Sequence, residues 1–289
     1  MRHFPVRLLL LVMILLFAVN AAGMAEGEFF LPLTAGDGRN GIAEASADLL
    51  GLTVVTDEDE DVLLNRTATE TGHLLLDTQS AVIRCLQGYT DGEFFEIFSP
   101  VARVGTEAIC LVMRKERADE LGITGLDSLL TYIAENEYEF LRARYPDAGI
   151  KDMAATEISN ELAVFTDYYY EEEIAGAMED DEVQLALKTE TELAAGAEDL
   201  IILCTIGRER SSVYPDLPTL SEAGIAVERE IRYYLITANG TDPGYIRQVA
   251  ETLAVAGPVV TGAELTAELE QAAAECEAYL TSEGLFFYK

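Results

Sequence analysis

The chain is poor in the residues that histidine chemistry and nucleic-acid binding require. It has no tryptophan and only two histidines, His3 and His73, so a histidine-based active site or a multi-histidine metal site has almost no material. Nineteen Lys and Arg face 52 Asp and Glu in 289 residues, and the net charge of −33 excludes a general nucleic-acid binder, which needs a basic face. We therefore expect no nucleic acid, metal or cofactor among the partners.

Long apolar runs are also scarce, and the single one lies at the N-terminus. Residues 8–19 are apolar, follow Arg2 and Arg7, and lead into small residues that end at Ala25. This pattern is typical of a secretory signal peptide and is short for a membrane span, which needs about 20 apolar residues. We predict a signal peptide over residues 1–25, cleaved near Ala25, and export to the periplasm or the extracytoplasmic face of the membrane. An uncleaved N-terminal anchor is the alternative.

Paired cysteine motifs are absent. The four cysteines, Cys85, Cys110, Cys204 and Cys276, form no C-x-x-C pair, which disfavours zinc and thioredoxin-like sites. Export would permit a disulfide, but four cysteines allow three pairings and the sequence does not choose among them. We favour buried free thiols over a bridge, since two of the four lie in apolar strand-like runs.

What the chain does contain is an alternation of short apolar runs and helical patterns. The expected strands cover 29–33, 52–55, 74–76, 108–113, 183–187, 200–205 and 233–237. The expected helices cover 42–50, 80–87, 126–141, 243–256 and 263–280. This alternation predicts an α/β fold with largely parallel sheets and no internal repeat.

An acidic run from Asp57 to Asp61 allows two interpretations. It resembles a calcium loop, but it lacks the glycine and the twelfth-position Glu of an EF-hand. We favour a solvated turn.

Several segments resemble, in order, signatures of the solute-binding receptors of tripartite tricarboxylate transporters, the Bug-type extracytoplasmic receptors. The most specific is Tyr-Pro-Asp-Leu-Pro-Thr-Leu-Ser-Glu-Ala-Gly-Ile at 214–225, which is similar to the family's LPDVPTVAEAGL. Weaker matches lie at 32–40, 98–105, 200–211 and 238–246. Together they span nearly the whole chain after the predicted signal peptide.

The resemblance implies a type II periplasmic-binding-protein-like fold. Two α/β lobes would be joined by two crossing segments, with a ligand cleft between them. Lobe 1 would hold 26–106 and 226–289, and lobe 2 would hold 107–225. It also implies a monomer that is not an enzyme, that captures a small carboxylate (a di- or tricarboxylate or an amino acid), and that delivers it to the transporter's membrane subunits.

A hydrated carboxylate can be held without cationic side chains when backbone N–H groups at helix N-termini replace its water. The glycine-rich turn before the helix at Ile42 has this form, and with the family order it predicts one wall of the ligand site. The alternative is an ordinary strand-to-helix turn. The residues of this wall are Thr34, Ala35, Gly36, Asp37, Gly38 and Asn40.

A second wall is expected after the strand at 74–76. Thr78 and Ser80 have hydroxyl groups that donate to a carboxylate, and Asp77 would bind a ligand amine or cap the following helix. A weaker candidate is Thr106. Two more, Ser159 and Asn160 in lobe 2, align with the family's STNHLA turn. The remaining predicted ligand residues are thus Asp77, Thr78, Gln79, Ser80, Thr106, Ser159 and Asn160.

The chain departs from the family where loops 56–65 and 168–172 replace glycines with carboxylates. Because a buried carboxylate needs a partner, this favours a ligand with a cationic group, such as an amino acid. Arg39 and Lys188 are the candidate cations on the cleft side, and a solvated surface position is the alternative for each. A sensor or surface protein derived from such a receptor is an alternative. A secreted enzyme is disfavoured, because the chain contains no G-x-S-x-G, P-loop or H-E-x-x-H motif.

Overall fold

The computed structural model describes residues 27–32, 38–136, 140–144, 149–162, 164–167 and 171–285. The predicted signal peptide, residues 1–25, lies outside the described residues. So do Thr34, Ala35, Gly36 and Asp37 of the predicted first wall. Those predictions stay predictions.

Nine strands, eleven α-helices and one short 3₁₀ helix, Ser221–Ala223, form within the described residues. The strands are β1 Glu28–Pro32, β2 Thr53–Asp57, β3 Leu74–Asp77, β4 Phe98–Arg114, β5 Leu141–Arg144, β6 Val164–Asp167, β7 Ala186–Thr189, β8 Leu200–Thr205 and β9 Glu230–Ala238. The helices are α1 Arg39–Leu50, α2 Glu60–Thr69, α3 Ser80–Gln87, α4 Phe94–Ile97, α5 Lys115–Leu121, α6 Leu126–Asn136, α7 Ile150–Ser159, α8 Glu171–Glu179, α9 Glu190–Ala195, α10 Pro243–Leu253 and α11 Gly262–Glu283.

The acidic run corrects one expectation, because it starts helix α2 instead of forming a solvated turn. The Asp59 side chain accepts the backbone N–H groups of Asp61 at 3.0 Å and Val62 at 3.4 Å, which is an N-cap. Acidic residues in the first turn also suit the positive end of the helix dipole. The described residues hold no group of three potential metal ligands, so the calcium-loop alternative gains no support.

The main sheet has the strand order β2-β1-β3-β9-β4-β7, with β8 also paired to β4. Strand β1 is parallel to both of its neighbours, as expected. Every pair that involves β4 or β9 is antiparallel, however, so the expectation of largely parallel sheets is wrong at the centre of the molecule. A separate two-stranded parallel sheet joins β5 and β6.

The molecule is two-lobed because one long strand belongs to both lobes. From Phe98 to Ala108, β4 pairs with β9; from Ile109 to Arg114, it pairs with β7 and β8. One lobe is thus built around β1, β2 and β3, and the other around β5 to β8. Strands β4 and β9 carry the chain between them.

The two lobes touch each other beside the sheet. Met153 of α7 packs with Ile83 of α3 and with Cys276 and Leu280 of α11 in one buried apolar cluster. Tyr279 belongs to the same cluster, and its hydroxyl donates to the buried carboxylate of Asp152, which directly precedes Met153. The contact closes one side of the space between the lobes.

All four cysteines are free and buried, which confirms the interpretation as small core residues. Burial raises the pKa of the Cys85 thiol to about 11, so the thiol stays protonated at neutral pH. Across the described residues, no helix is both long enough and apolar enough to cross a membrane.

Candidate functional site

The point where the lobes meet holds a buried carboxylate that is surrounded by hydrogen-bond donors. Glu107 lies on β4 and is 5% exposed. Its Oε2 accepts the backbone N–H of Gly38 at 3.1 Å and a short hydrogen bond from the Tyr233 hydroxyl. Its Oε1 accepts the backbone N–H of Thr191 at 2.5 Å. We call these four residues the junction cluster.

A side chain at position 38 would crowd this cluster. A Cβ on this residue would lie 3.1 Å from the Tyr233 hydroxyl oxygen and 3.4 Å from both Glu107 Oε2 and Thr191 Oγ1. Its φ of −73° is ordinary, so space and not backbone strain explains the glycine. The structure therefore places one predicted wall residue, Gly38, at the meeting point of the two lobes.

The hydrogen bonds, and no cation, keep Glu107 ionised. Burial raises the pKa of its carboxyl, but the hydrogen bonds from Tyr233, Thr191 and Gly38 outweigh burial and hold the pKa below its usual value. Among the described residues no Lys, Arg or His forms an ion pair with Glu107. A carboxylate accepts about four hydrogen bonds, so this one is nearly saturated.

Beside the junction cluster lies a second group, the wall network of Arg39, Glu60, Asp61, Asp77 and Arg84. Arg39, the first residue of α1, is 4% exposed, and its Nη1 and Nη2 atoms lie 3.1 Å from Asp77 Oδ1 and 3.3 Å from Glu60 Oε1. Arg84 lies 2.6 Å from Glu60 and also pairs with Asp61. Arg39, which we expected as a cation facing the cleft, is therefore buried and ion-paired inside lobe 1.

The predicted second wall forms a tight turn around Asp77. The Asp77 Oδ1 atom accepts the backbone N–H of Thr78 at 2.7 Å and the hydroxyl of Ser80 at 3.2 Å, while the hydroxyls of Thr78 and Ser80 share a short hydrogen bond. The N-cap position of α3 is Gln79, so Asp77 supports the turn without being the cap. Burial raises the pKa of Asp77 to about 6, against the opposing effect of Arg39.

Lobe 2 also neutralises its own carboxylates near the junction. Lys151 Nζ lies 2.7 Å from Glu192 Oε1, and Lys188 Nζ lies 3.8 Å from the same oxygen. Glu190 accepts the backbone N–H of Ala108 at 3.3 Å and a short hydrogen bond from Ser211. Lys188, the second expected cleft cation, is thus also paired within the protein.

These contacts weaken the argument for a cationic ligand at loop 56–65, where Glu60 and Asp61 are ion-paired; the side chains of 168–172 lie outside the described residues. The carboxylates of Glu60, Asp77, Glu107, Glu190 and Glu192 all have partners within the protein. A ligand is therefore not needed to neutralise them. The ligand class has to be argued from another part of the space between the lobes.

A cavity of about 540 Å³ lies between α7, α11 and the segment that enters β9. Gln79 is one of its lining residues, and it is buried: its side chain donates to the Glu230 carbonyl at 3.1 Å and accepts the Arg232 backbone N–H at 3.1 Å. The volume is within the range of small-molecule sites, which is roughly 300–1,000 Å³. Gln79 thus connects the predicted second wall to an actual cavity.

The cavity carries charges of both signs. Arg229 joins the lobes across it, with Glu157 of α7 at 2.6 Å and Glu275 of α11 at 2.5 Å. Arg208 and Glu228 also line the cavity, and both are exposed and form no ion pair within the described residues. The Arg229 N–H donates to the Ile206 carbonyl at 3.1 Å, so the segments that carry Arg208 and Glu228 run side by side.

Four predicted site residues lie apart from these contacts. Asn40 is exposed on α1. Thr106 is exposed and lines a groove against α1 and α10, next to Glu107 in sequence and on the other face of the strand. Ser159 donates to the Thr156 carbonyl at the C-terminal end of α7, and Asn160 is the C-cap. A helix C-terminus presents carbonyl oxygens, so it does not suit a carboxylate.

The sequence did not point to Glu107, the buried carboxylate between the lobes, or to Arg208, the arginine of the cavity that has no ion pair within the described residues. Glu107 follows Thr106 directly, but its donors come from positions 69, 84 and 126 residues away. Arg208 is one of two arginines in a polar loop, the other being Arg210, and no local pattern sets it apart. A carboxylate inside an apolar strand, as Glu107 is, was the one available signal.

No protein-family model matches the chain, and no curated protein matches it. Solved structures do match in fold. The periplasmic binding protein BugD is 16% identical, with a TM-score of 0.69, and the match covers 89% of this chain and 97% of that one. The R. palustris protein Rpa4515 with adipate is 15% identical, with a TM-score of 0.70 and coverages of 90% and 98%. MatC from Rhodopseudomonas palustris with bound malate is 13% identical, with a TM-score of 0.65 and coverages of 88% and 98%.

The fold therefore defines the class: this is a two-lobed α/β chain of the periplasmic-binding-protein type, as the resemblance implied. The structures that it resembles are binding proteins of the Bug and TctC type, which are not enzymes. At these identities the similarity establishes the fold, and the site has to supply the function.

Proposed function

We propose that the protein is an extracytoplasmic solute-binding protein that captures a small carboxylate between its lobes and delivers it to the membrane subunits of a tripartite tricarboxylate-type transporter. The observation that carries the proposal is the full-length similarity in fold to periplasmic binding proteins, two of which hold adipate and malate. A cavity of ligand size between the lobes supports it.

The lobe boundaries belong to this proposal. We place lobe 1 at 26–106 and 226–289 and lobe 2 at 107–225. The change of partner strand along β4, from β9 to β7 and β8 after Ala108, supports a boundary close to 107. We also propose that the protein is exported with cleavage near Ala25 and acts as a monomer.

The charges of the cavity favour one ligand class. Arg208 provides a guanidinium that no described carboxylate neutralises, and a guanidinium binds a carboxylate through paired hydrogen bonds. Glu228, on the neighbouring segment, provides a free carboxylate for an ammonium group. A ligand with both groups fits the pair, so amino acids rank before di- and tricarboxylates.

A thermal-shift screen of the purified protein tests the proposal. The screen should include amino acids, dicarboxylates and tricarboxylates at matched ionic strength. A ligand at a hundredfold excess over its dissociation constant stabilises the folded state by about 2.7 kcal/mol, which raises the Tm by several degrees. If no compound of these classes gives a saturable rise, the solute-binding proposal is wrong.

A receptor-derived sensor or surface protein is the second candidate, and the junction cluster is the observation that favours it. A carboxylate of the protein itself already joins donors from both lobes. Co-purification with the membrane subunits in the presence and absence of ligand separates the two functions. Ligand-dependent association supports transport, whereas ligand binding without association supports sensing.

A further inference from the structure

The environment of Glu107 is that of a bound anion and not that of a typical ion pair. The side chain is buried, and within the described residues no cation pairs with it. Burying an ionised carboxylate costs several kcal/mol unless its oxygen atoms are hydrogen-bonded. Here neutral groups do this: two backbone N–H groups and one phenol.

The donors come from three separate parts of the chain. Gly38 precedes α1 in lobe 1, Thr191 lies in α9 of lobe 2, and Tyr233 lies on the crossing strand β9. The carboxylate therefore ties both lobes to the crossing strands. Tyr233 is 1% exposed, so solvent has little access to its hydroxyl.

Gly38 lets the donors approach the carboxylate closely. A Cβ on Gly38 would lie 3.4 Å from Glu107 Oε2 and 3.1 Å from the Tyr233 oxygen, which is close enough to crowd both atoms. Tyr233 donates to Glu107 and is itself within hydrogen-bond distance, 2.9 Å, of the Gly38 N–H. Without the carboxylate, the Thr191 N–H would lose its acceptor, Glu107 Oε1.

We infer that Glu107 is a built-in carboxylate that occupies an anion site formed by Gly38, Thr191 and Tyr233, and that removing its side chain opens this site to a free carboxylate of acetate size. The closed contact between the lobes then does not require an external anion at this position. A solute captured in the neighbouring cavity binds beside the tethered carboxylate and not in its place.

Chemical rescue tests the inference. Glu107→Ala removes the carboxylate and leaves room for acetate, so the variant should have a lower Tm that acetate raises by about 3–6 °C in a saturable way. Sodium chloride at the same ionic strength should not do this. Acetate should raise the Tm of the wild type and of Glu107→Gln, in which the space is filled, by clearly less than it raises that of Glu107→Ala.

Glu222→Ala is the matched control for the truncation. Glu222 also accepts a backbone N–H, from Thr219 at 3.0 Å, but it is exposed, so water replaces its carboxylate. Acetate should give this variant no more than the wild-type response. A folded Glu107→Ala protein without an acetate-specific response would overturn the inference.

Hydrogen exchange covers the case in which Glu107→Ala does not fold. Glu107→Gln keeps the volume but loses one acceptor oxygen and the charge, so the amide of Gly38 or Thr191 should exchange at least tenfold faster than in the wild type. Unchanged exchange at both amides would contradict the inference. Neither experiment uses the transported solute, so the inference and the proposed function fail separately.

Discussion

Two buried carboxylates, Glu107 and Asp77, contact the neighbouring residues Gly38 and Arg39 but are stabilised in opposite ways. Glu107 accepts hydrogen bonds from neutral donors, and its pKa is below the usual value; Asp77 lies 3.1 Å from the Arg39 guanidinium, yet burial raises its pKa to about 6. Arg39 is shared with Glu60, whose charge also raises the Asp77 pKa. The contacts of Asp77, from Arg39, Thr78 and Ser80, all reach one oxygen, Oδ1, whereas the donors of Glu107 reach both of its oxygens. The comparison teaches that hydrogen bonds spread over both oxygens stabilise a buried carboxylate better than contacts on one oxygen with a shared cation.

Removal of Arg39 should break the wall network most severely. Arg39→Met leaves Asp77 and Glu60 without one of their cations in a buried position, which should reduce the free energy of unfolding by about 3–5 kcal/mol. Urea unfolding at pH 7 measures it. Arg66→Met is the control, because Arg66 is about one-third exposed and pairs with Glu28 and Glu70 at the surface, so its loss should be about 1 kcal/mol or less. If Arg39→Met and Arg66→Met lose the same free energy of unfolding, the buried network contributes no more than the surface pairs.

The folded state raises the pKa of Asp77 and lowers that of Glu107, so the two residues contribute to stability with opposite dependence on pH. The folded-state pKa of Asp77 is above its unfolded value, so Asp77 stabilises the fold below about pH 4, and this contribution is lost as the pH rises through about 6. Glu107 has a lowered folded-state pKa, so its contribution is present above its unfolded pKa and is lost as the pH falls through its folded one.

Asp77→Asn should therefore remove a decline in stability between pH 4 and pH 6. Relative to the variant, the wild type should lose about 2–3 kcal/mol over this window, since each unit of pKa shift corresponds to about 1.4 kcal/mol. Urea unfolding at pH 4, 5, 6 and 7 measures the two slopes. Parallel curves would show that Asp77 does not titrate with a raised pKa.

A smaller effect should come from filling the space at Gly38. The side chain of Gly38→Val would meet Tyr233, Glu107 and Thr191, which should cost about 1–3 kcal/mol of stability and weaken closure of the lobes. Gly41→Val is the control on the same helix, because no atom lies within 4 Å of a Cβ at that position. Thermal unfolding of both variants gives the comparison. If Gly38→Val matches Gly41→Val in stability and in ligand affinity, the turn is not part of the site.

Local patterns predicted the elements that local interactions determine. Helix α3 begins and ends where its pattern indicated, at Ser80 and Gln87, because the apolar face and the following glycine are adjacent in sequence. Helix α2 was missed although Asp59 and its acidic first turn are N-terminal signals, because the run of charges was interpreted as solvated. The capping signal should have had priority over the charge count.

The elements that connect the lobes were harder to predict. Only residues 108–113 of β4 were expected as a strand, because Pro100 and Gly105 interrupt the pattern where the pairing with β9 shifts register. The donors of Glu107 and the neighbours of Arg208 come from distant segments, and no local spacing shows them. The family register that selected Ser159 and Asn160 placed them at the end of α7 far from its N-terminus.

The central claim is that the space between the lobes captures a small solute through the cavity that Arg208 lines. Titration calorimetry with the amino acid or carboxylate that gives the largest thermal shift tests it directly, on the wild type, Arg208→Gln and Arg210→Gln. Arg210 is an exposed arginine two residues away that pairs with Glu222. We predict a dissociation constant about tenfold or more higher for Arg208→Gln, equivalent to about 1.4 kcal/mol, and no change for Arg210→Gln. Wild-type affinity in Arg208→Gln, or no binding heat in the wild type, would contradict the account.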